Sequence, residues 1–192
     1  MTDTVKGEDW YARDLDHETF TKVAFTDVDL TEATTNGSVF DGCTFTNVKF
    51  NVSVHTDSAF INCTFRGCNF FDASFMRCKL TGSVFRDCSF DILKVTGGNW
   101  GFVGMPGAKL GGVTFDGVTL READFTGARA AGSTFLSCDF SGASLGKSDF
   151  DNADLRGSDL TAFDPMTVSL RGATIMAAQA IAIAEAFGLR VE

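Results

Sequence analysis

Six cysteines, two histidines and one glycine-rich stretch are the parts of this 192-residue chain whose types suggest chemistry, and spacing decides what each can do. Cys43, Cys63, Cys68, Cys78, Cys88 and Cys138 would form a disulfide or zinc framework if their separations suited the bond or the ion. Instead each lies two residues before a multiple of five, a slot that Ala, Ser and Val fill elsewhere. That is the pattern of a buried cysteine used as a small hydrophobe. His17 and His55 have no cysteine or carboxylate at metal-ligand spacing. The stretch Gly97-Gly-Asn-Trp-Gly-Phe-Val-Gly-Met-Pro-Gly107 does not match the dinucleotide fingerprint and stays in the same five-residue frame, so it reads as a loosened or kinked piece of it. No nucleophile elbow, phosphate loop or zinc-helix motif is present. The sequence predicts no enzyme, no cofactor and no metal.

The frame itself organises the chain. Taking every fifth residue from Leu15 to Ile175 gives 33 positions, of which 29 are large and apolar; the exceptions are Thr35, His55, Ala130 and Pro165. Residues five apart share no face of a strand, which alternates by two, nor of a helix, which repeats every 3.6. The residue two before the centre is small in most pentads, and the residue two after is often Gly, as in Ala123-Asp-Phe-Thr-Gly127 and Ala153-Asp-Leu-Arg-Gly157. Two inward residues, a polar pair and a turn-friendly glycine describe a short extended side followed by a corner. Repetition winds the chain into a solenoid with its centres stacked inside and no cleft between them. Phe71, Met76, Phe102 and Leu136 fall on outward positions.

A solenoid has open ends that need covers. Residues 1–14 are read as an N-terminal cap, 15–175 as the repeat and 176–192 as a C-terminal module. In that last segment Met176-Ala-Ala-Gln-Ala-Ile-Ala-Ile-Ala-Glu-Ala-Phe-Gly188 is Ala-rich, helix-forming and closed by glycine. Ile181, Ile183, Ala184, Phe187 and Leu189 are too apolar for a free helix and tail; they cover the last coil, pair with another chain, or do both. The polar, acidic N-terminus does not resemble a signal peptide, and no apolar run is long enough to span a bilayer, so a soluble cytoplasmic protein with no membrane partner is expected.

The net charge is −9. Residues 1–41 hold ten acids and three bases, residues 42–115 four acids and seven bases, and residues 116–164 nine acids and four bases. Such a balance argues against direct nucleic-acid binding and for a partner with a basic surface.

Unbroken pentads of the Ala-Asp-Leu-X-Gly kind resemble the pentapeptide-repeat family over residues 15–175. That resemblance implies an all-β solenoid, a right-handed quadrilateral β-helix, here of about eight coils with a short C-terminal α-helix. The terminus, with Phe163-Asp-Pro165, two more pentads and then an Ala-Gln-Ala…Ala-Phe-Gly-Leu helix, is similar to the MfpA/Qnr-type quinolone-resistance branch. The absence of out-of-frame insertions sides with its loop-free MfpA type. The branch implies a two-fold homodimer through the C-terminal segment, at Ile181, Ile183, Ala184, Phe187 and Leu189. It also implies a rod that mimics DNA and binds DNA gyrase, competing with DNA and protecting or modulating the enzyme against quinolones or natural poisons.

Eight coils at ~4.8 Å spacing make a rod about 38 Å long. Duplex DNA would carry about 22 charges over that length, so the mimicry is partial. The acidic flank of Asp124, Asp139, Asp149, Asp151, Asp154 and Asp159, beside the implied dimer axis, is its expected site. Twenty-residue coils also predict a Thr35–His55 contact, a like-charge rung of Asp139 and Asp159, and opposite-charge rungs at Asp29/Lys49, Asp57/Arg77 and Arg129/Asp149. A scaffold that binds some protein other than gyrase is the competing function.

Overall fold

A computed structural model describes residues 3–191 as a parallel β-solenoid closed by one helix. Among the described residues there are fifteen strands of three residues each and a helix at Gln179–Ala186. Every strand pairs in register with the strand twenty residues away: Thr4–Lys6 with Ala24–Thr26, Asp14–Asp16 with Thr34–Asn36, Thr19–Thr21 with Val39–Asp41. Three faces are sheets of five, seven and three strands, and isolated bridges from Asp9 through Asp29, Lys49 and Asn69 to Ser89 build the fourth. The seven-stranded face is extended by bridges to Asp154 and Thr174, so that ladder runs almost the whole length of the rod.

The ladder starts earlier than the sequence suggests. Thr4–Lys6 already pairs with Ala24–Thr26, so the expected cap at residues 1–14 is itself coil from Thr4 on, while Met1 and Thr2 lie outside the described residues.

The core explains the period. Phe25, Phe45, Phe65 and Phe85 stack one above another with ring centroids 4.9, 4.8 and 4.6 Å apart and planes within 7°. Neighbouring columns meet edge to face, as Phe45 does with Phe50 at 5.5 Å and 64°. Offset stacking along a column and edge contacts across it are the two arrangements that ring quadrupoles favour. The corners follow from backbone chirality. From Trp10 to Leu155 the residue two after each centre takes positive φ, as at Asn47, Val52 and Gly42. Where the centre's carbonyl also accepts the N–H three residues on, as Phe50 O does from Ser53 at 3.1 Å, the corner carries the signature of a type II turn. One glycine serves a different purpose. A Cβ at Gly98 would sit 2.2 Å from the Cys78 carbonyl oxygen, so only glycine fits that small slot.

Two irregularities bear on function. At Pro165 the regular corner gives way to a tight turn in which Thr167 and Val168 N–H both donate to Asp164 O. Phe163, in a slot that is small in most pentads, fills the core in place of the proline and packs 5.2 Å from both Phe140 and Phe150. The second irregularity corrects the expectation of a wall without clefts. Along one face the N–H groups of Asp87, Phe90, Ile92 and Lys109 make no hydrogen bond, and the Ser89–Lys109 bridge is missing. Pro106 lies at this break. The coils part there around a cleft of about 600 Å³. The loosening expected of Gly97–Gly107 is therefore real, but it is confined to the Asp9–Ser89 face, which the chain enters just after Pro106.

The Thr35–His55 contact is present and buried. Thr35 Oγ1 lies 2.9 Å from His55 Nδ1, Ser53 Oγ lies 3.0 Å from Nε2, and the ring packs against Phe75 at 4.5 Å. Burial lowers the pKa of His55 to about 3. A folded-state pKa below the unfolded value means that the unfolded chain binds the extra proton. Stability is thus complete above about 6.5, the unfolded value, and is lost as pH falls from there toward 3. Between pH 6.5 and 5 this group alone removes up to ~2 kcal/mol. His55→Phe, which continues the column of Phe75, is expected to abolish that part of the acid slope; urea unfolding of both proteins at the two pH values measures it. Equal slopes would show that His55 does not titrate on unfolding.

Candidate functional site

Charge is arranged along the rod because sequence order is axial order. The acid-rich segments 3–41 and 116–164 lie toward the two ends and the weakly basic segment 42–115 forms a belt between them. Each sequence-predicted aspartate before a centre has the same local task. Its Oδ1 accepts the N–H two residues on and so closes the corner: Asp124 from Thr126 at 2.9 Å, Asp139 from Ser141 at 3.0 Å, Asp149 from Asp151 at 2.9 Å, Asp154 from Arg156 at 3.2 Å and Asp159 from Thr161 at 2.9 Å. Asn69 and Asn99 do the same for Phe71 and Gly101. Carboxylate and amide are interchangeable for this bond, so the corner explains an acceptor but not a negative charge.

The six acids do not share a face. Asp124 stands in the ladder between Gly104 and Ser144, Asp149 between Arg129 and Ser169, Asp154 between Thr134 and Thr174, and Asp139 over Asp159. Asp151 sits on a corner, where Arg171 N–H and Ser169 Oγ both donate to it. Together they make a collar around one end of the rod. Sequence reasoning missed the cations inside that collar. Arg121 pairs with Asp139, Arg156 with Asp154 and Arg171 with Asp151. The hydrogen bond from Arg156 lowers the pKa of Asp154, and those from Ser169 and Arg171 lower that of Asp151. Partial burial opposes ionisation of Asp139, yet bonds from Ser141 and Arg121 hold its pKa low. The expected Asp139–Asp159 rung exists, and Arg121 relieves its repulsion.

Other expected rungs are also in place. Lys49 Nζ lies 2.9 Å from Asp29 and Arg77 grips Asp57 with bonds of 2.7 and 2.6 Å, whereas Arg129 and Asp149 stand in register through a backbone bridge without an ion pair among the described residues. Arg66 stands in register with Arg86. Of the outward apolar residues, Phe71 and Phe102 are exposed whereas Met76 and Leu136 are half-buried. Val52 and Ile92, exposed at positive-φ corners, were not anticipated.

The C-terminal helix is shorter than its Ala-rich sequence, because Met176–Ala178 form the approach to it. Gln179 fixes it to the last coils. Its Nε2 donates to Leu155 O at 2.8 Å and Ser158 O at 2.7 Å, while Gly157 and Met176 N–H donate to its Oε1. A lone amide in an alanine-rich run was the available signal. Gly188, with φ +78, ends the helix, and Leu189 N–H returns to Ala184 O. Ile183 packs against the core and Ala184 is half-buried, whereas Ile181, Phe187 and Leu189 are 46%, 56% and 62% exposed, beside exposed Met176 and Val191. The five residues therefore divide between covering the last coil and facing outward.

A parallel four-sided solenoid wound in five-residue steps defines a class, and the comparisons agree with it. Residues 115–178 and residues 25–51 and 56–91 match two profiles described as pentapeptide repeats, together covering more than half of the chain. The chain belongs to the pentapeptide-repeat family. Among solved structures it is similar to trypsin-treated QnrB1, a plasmid-mediated fluoroquinolone resistance protein, at 22% identity and a TM-score of 0.72, covering 100% of this chain and 99% of that one. Full-length QnrB1 gives 22% identity and a TM-score of 0.70, with 98% and 99% covered. No curated protein sequence matches the chain. Among the described residues, no helix is long and apolar enough to cross a membrane.

Asp124 has no ion-pair partner among the described residues, so it isolates the corner bond. Asp124→Ala is expected to destabilise the fold by ~1 kcal/mol through the orphaned Thr126 N–H, and Asp124→Asn to leave stability unchanged. Denaturant unfolding distinguishes them; equal losses would mean that the charge, not the acceptor, supports the corner.

Proposed function

We propose that this protein is a non-enzymatic, DNA-mimicking ligand of DNA gyrase that works as a C-terminal homodimer and modulates the enzyme or shields it from quinolones and natural gyrase poisons. The observation that carries the reading is the coexistence, at one end of a loop-free rod, of an acidic collar and an outward apolar surface at Ile181, Phe187 and Leu189. Two copies joined there place their collars on either side of the joint, which lengthens the acidic stretch offered to a basic duplex-binding surface. The full-length likeness to QnrB1, itself named for fluoroquinolone resistance, supports the link to quinolones. A scaffold role with a different protein partner draws instead on the exposed corner residues Val52, Phe71 and Ile92.

The test is gyrase supercoiling with and without a fluoroquinolone. Micromolar protein is expected to change supercoiling or drug-induced cleavage. A variant with Asn at positions 124, 139, 149, 151, 154 and 159 is expected to lose that effect while keeping its fold, since the amides preserve the corner bonds. In sedimentation the protein is expected at twice 20.6 kDa, and Phe187→Asp with Leu189→Asp at the monomer mass. No effect of the native protein on gyrase would favour the scaffold, and a native monomer at high concentration would remove the joint.

A further inference from the structure

The cleft in the wall holds the one cysteine that the fold does not tie down. Cys43, Cys63, Cys68, Cys78 and Cys138 are buried, and each thiol donates to the carbonyl 23 residues earlier as well as to the carbonyl two residues back. Cys68 Sγ, for example, lies 3.4 Å from Phe45 O and 3.6 Å from Arg66 O. Cys88 is half-buried and keeps only the local contact, 3.3 Å to Arg86 O. Its bond to the preceding coil is absent.

The chain contains the same thiol stack twice. Thr64 N–H to Cys43 O at 2.9 Å and Ser89 N–H to Cys68 O at 3.0 Å set Cys43 below Cys63 and Cys68 below Cys88, one rung apart. A rung spacing of ~4.8 Å lies within the Cα separations that a disulfide spans. Only the second stack meets the opening, which Phe85, Asp87, Pro106 and Lys109 line with the two cysteines. The stacked Cys68 thiol lowers the pKa of Cys88, against burial and the Asp87 charge, while the neighbouring Cys88 sulfur and burial raise that of Cys68. The thiolate is the reactive form, and Cys88 is the sulfur of the pair that is only half-buried at the opening.

We propose that Cys88 is a modification site for small hydroperoxides, with Cys68 as its resolving partner. The Cys88 thiolate attacks the peroxide oxygen, the O–O bond breaks, and a sulfenic acid forms as the leaving alkoxide or hydroxide takes up a proton. The Cys68 sulfur then attacks the sulfenic sulfur. The S–S bond forms, the S–O bond breaks, and hydroxide leaves with the Cys68 proton as water. The two sulfurs lose two electrons and the peroxide gains them. Cys43 and Cys63 form an internal control, since their wall is closed.

Brief treatment of the native chain with N-ethylmaleimide is expected to add a single label at Cys88, the other five thiols reacting only after denaturation; Cys88→Ser is expected to take none. Hydrogen peroxide is expected to yield a Cys68–Cys88 disulfide by peptide mapping, and Cys68→Ser to stop at a dimedone-trapped sulfenic acid on Cys88. First labelling at a buried cysteine, or a native chain inert to both reagents, would overturn the proposal. A native chain halted at the sulfenic acid would overturn the role of Cys68.

Discussion

In-register stacking at a fixed step of twenty residues is the constraint on which the molecule depends. Each strand is only three residues long and cannot stand alone. It persists because its inward side chain, most often a ring, stacks on the one a coil below while its backbone bonds to the same neighbour. A shift of one residue would turn every aromatic outward, and a single insertion would break all the columns above it. The chain accordingly keeps its frame even where the chemistry is poor: His55 is held neutral in the core, β-branched Val52 and Ile92 accept positive φ, and Phe163 stands in for Pro165.

The same constraint shapes the surface. At corners where an N–H turns away from the ladder, an Asp or Asn before the centre supplies its acceptor. Choosing Asp repeatedly costs the fold little, since the second oxygen is left free for an arginine, one coil away at Asp139 and Asp151 and on the same corner at Asp154. Acidity is thus a property that this architecture can set almost independently of stability. That independence makes a charged rod evolvable as a ligand, because charge can be placed segment by segment along the axis.

The period of five, the inward ladder and the C-terminal helix were legible because burial selects residue type at every centre from Leu15 to Ile175. The Thr35–His55 contact and the charged rungs became legible once a coil of twenty was assumed. What escaped reading depends on geometry between coils rather than on any local pattern. Thr4–Lys6 joins the ladder although its centre is only a valine, so the start of the rod was set too late. Gln179 acts through carbonyls 21 and 24 residues away. The opening beside Cys88 arises because a proline 18 residues further on cannot donate to the ladder, which no pentad reveals alone. The six aspartates were grouped by sequence, and folding distributes them around four faces.

Function then rests on whether the collar and the outward helix surface together occupy a duplex-binding site. Exclusion of DNA is the direct consequence of that claim. With labelled protein bound to gyrase, titration by linear duplex should displace it completely, and bound protein should weaken duplex binding by the same factor. A ternary complex in which protein and duplex bind gyrase at full affinity would contradict the account.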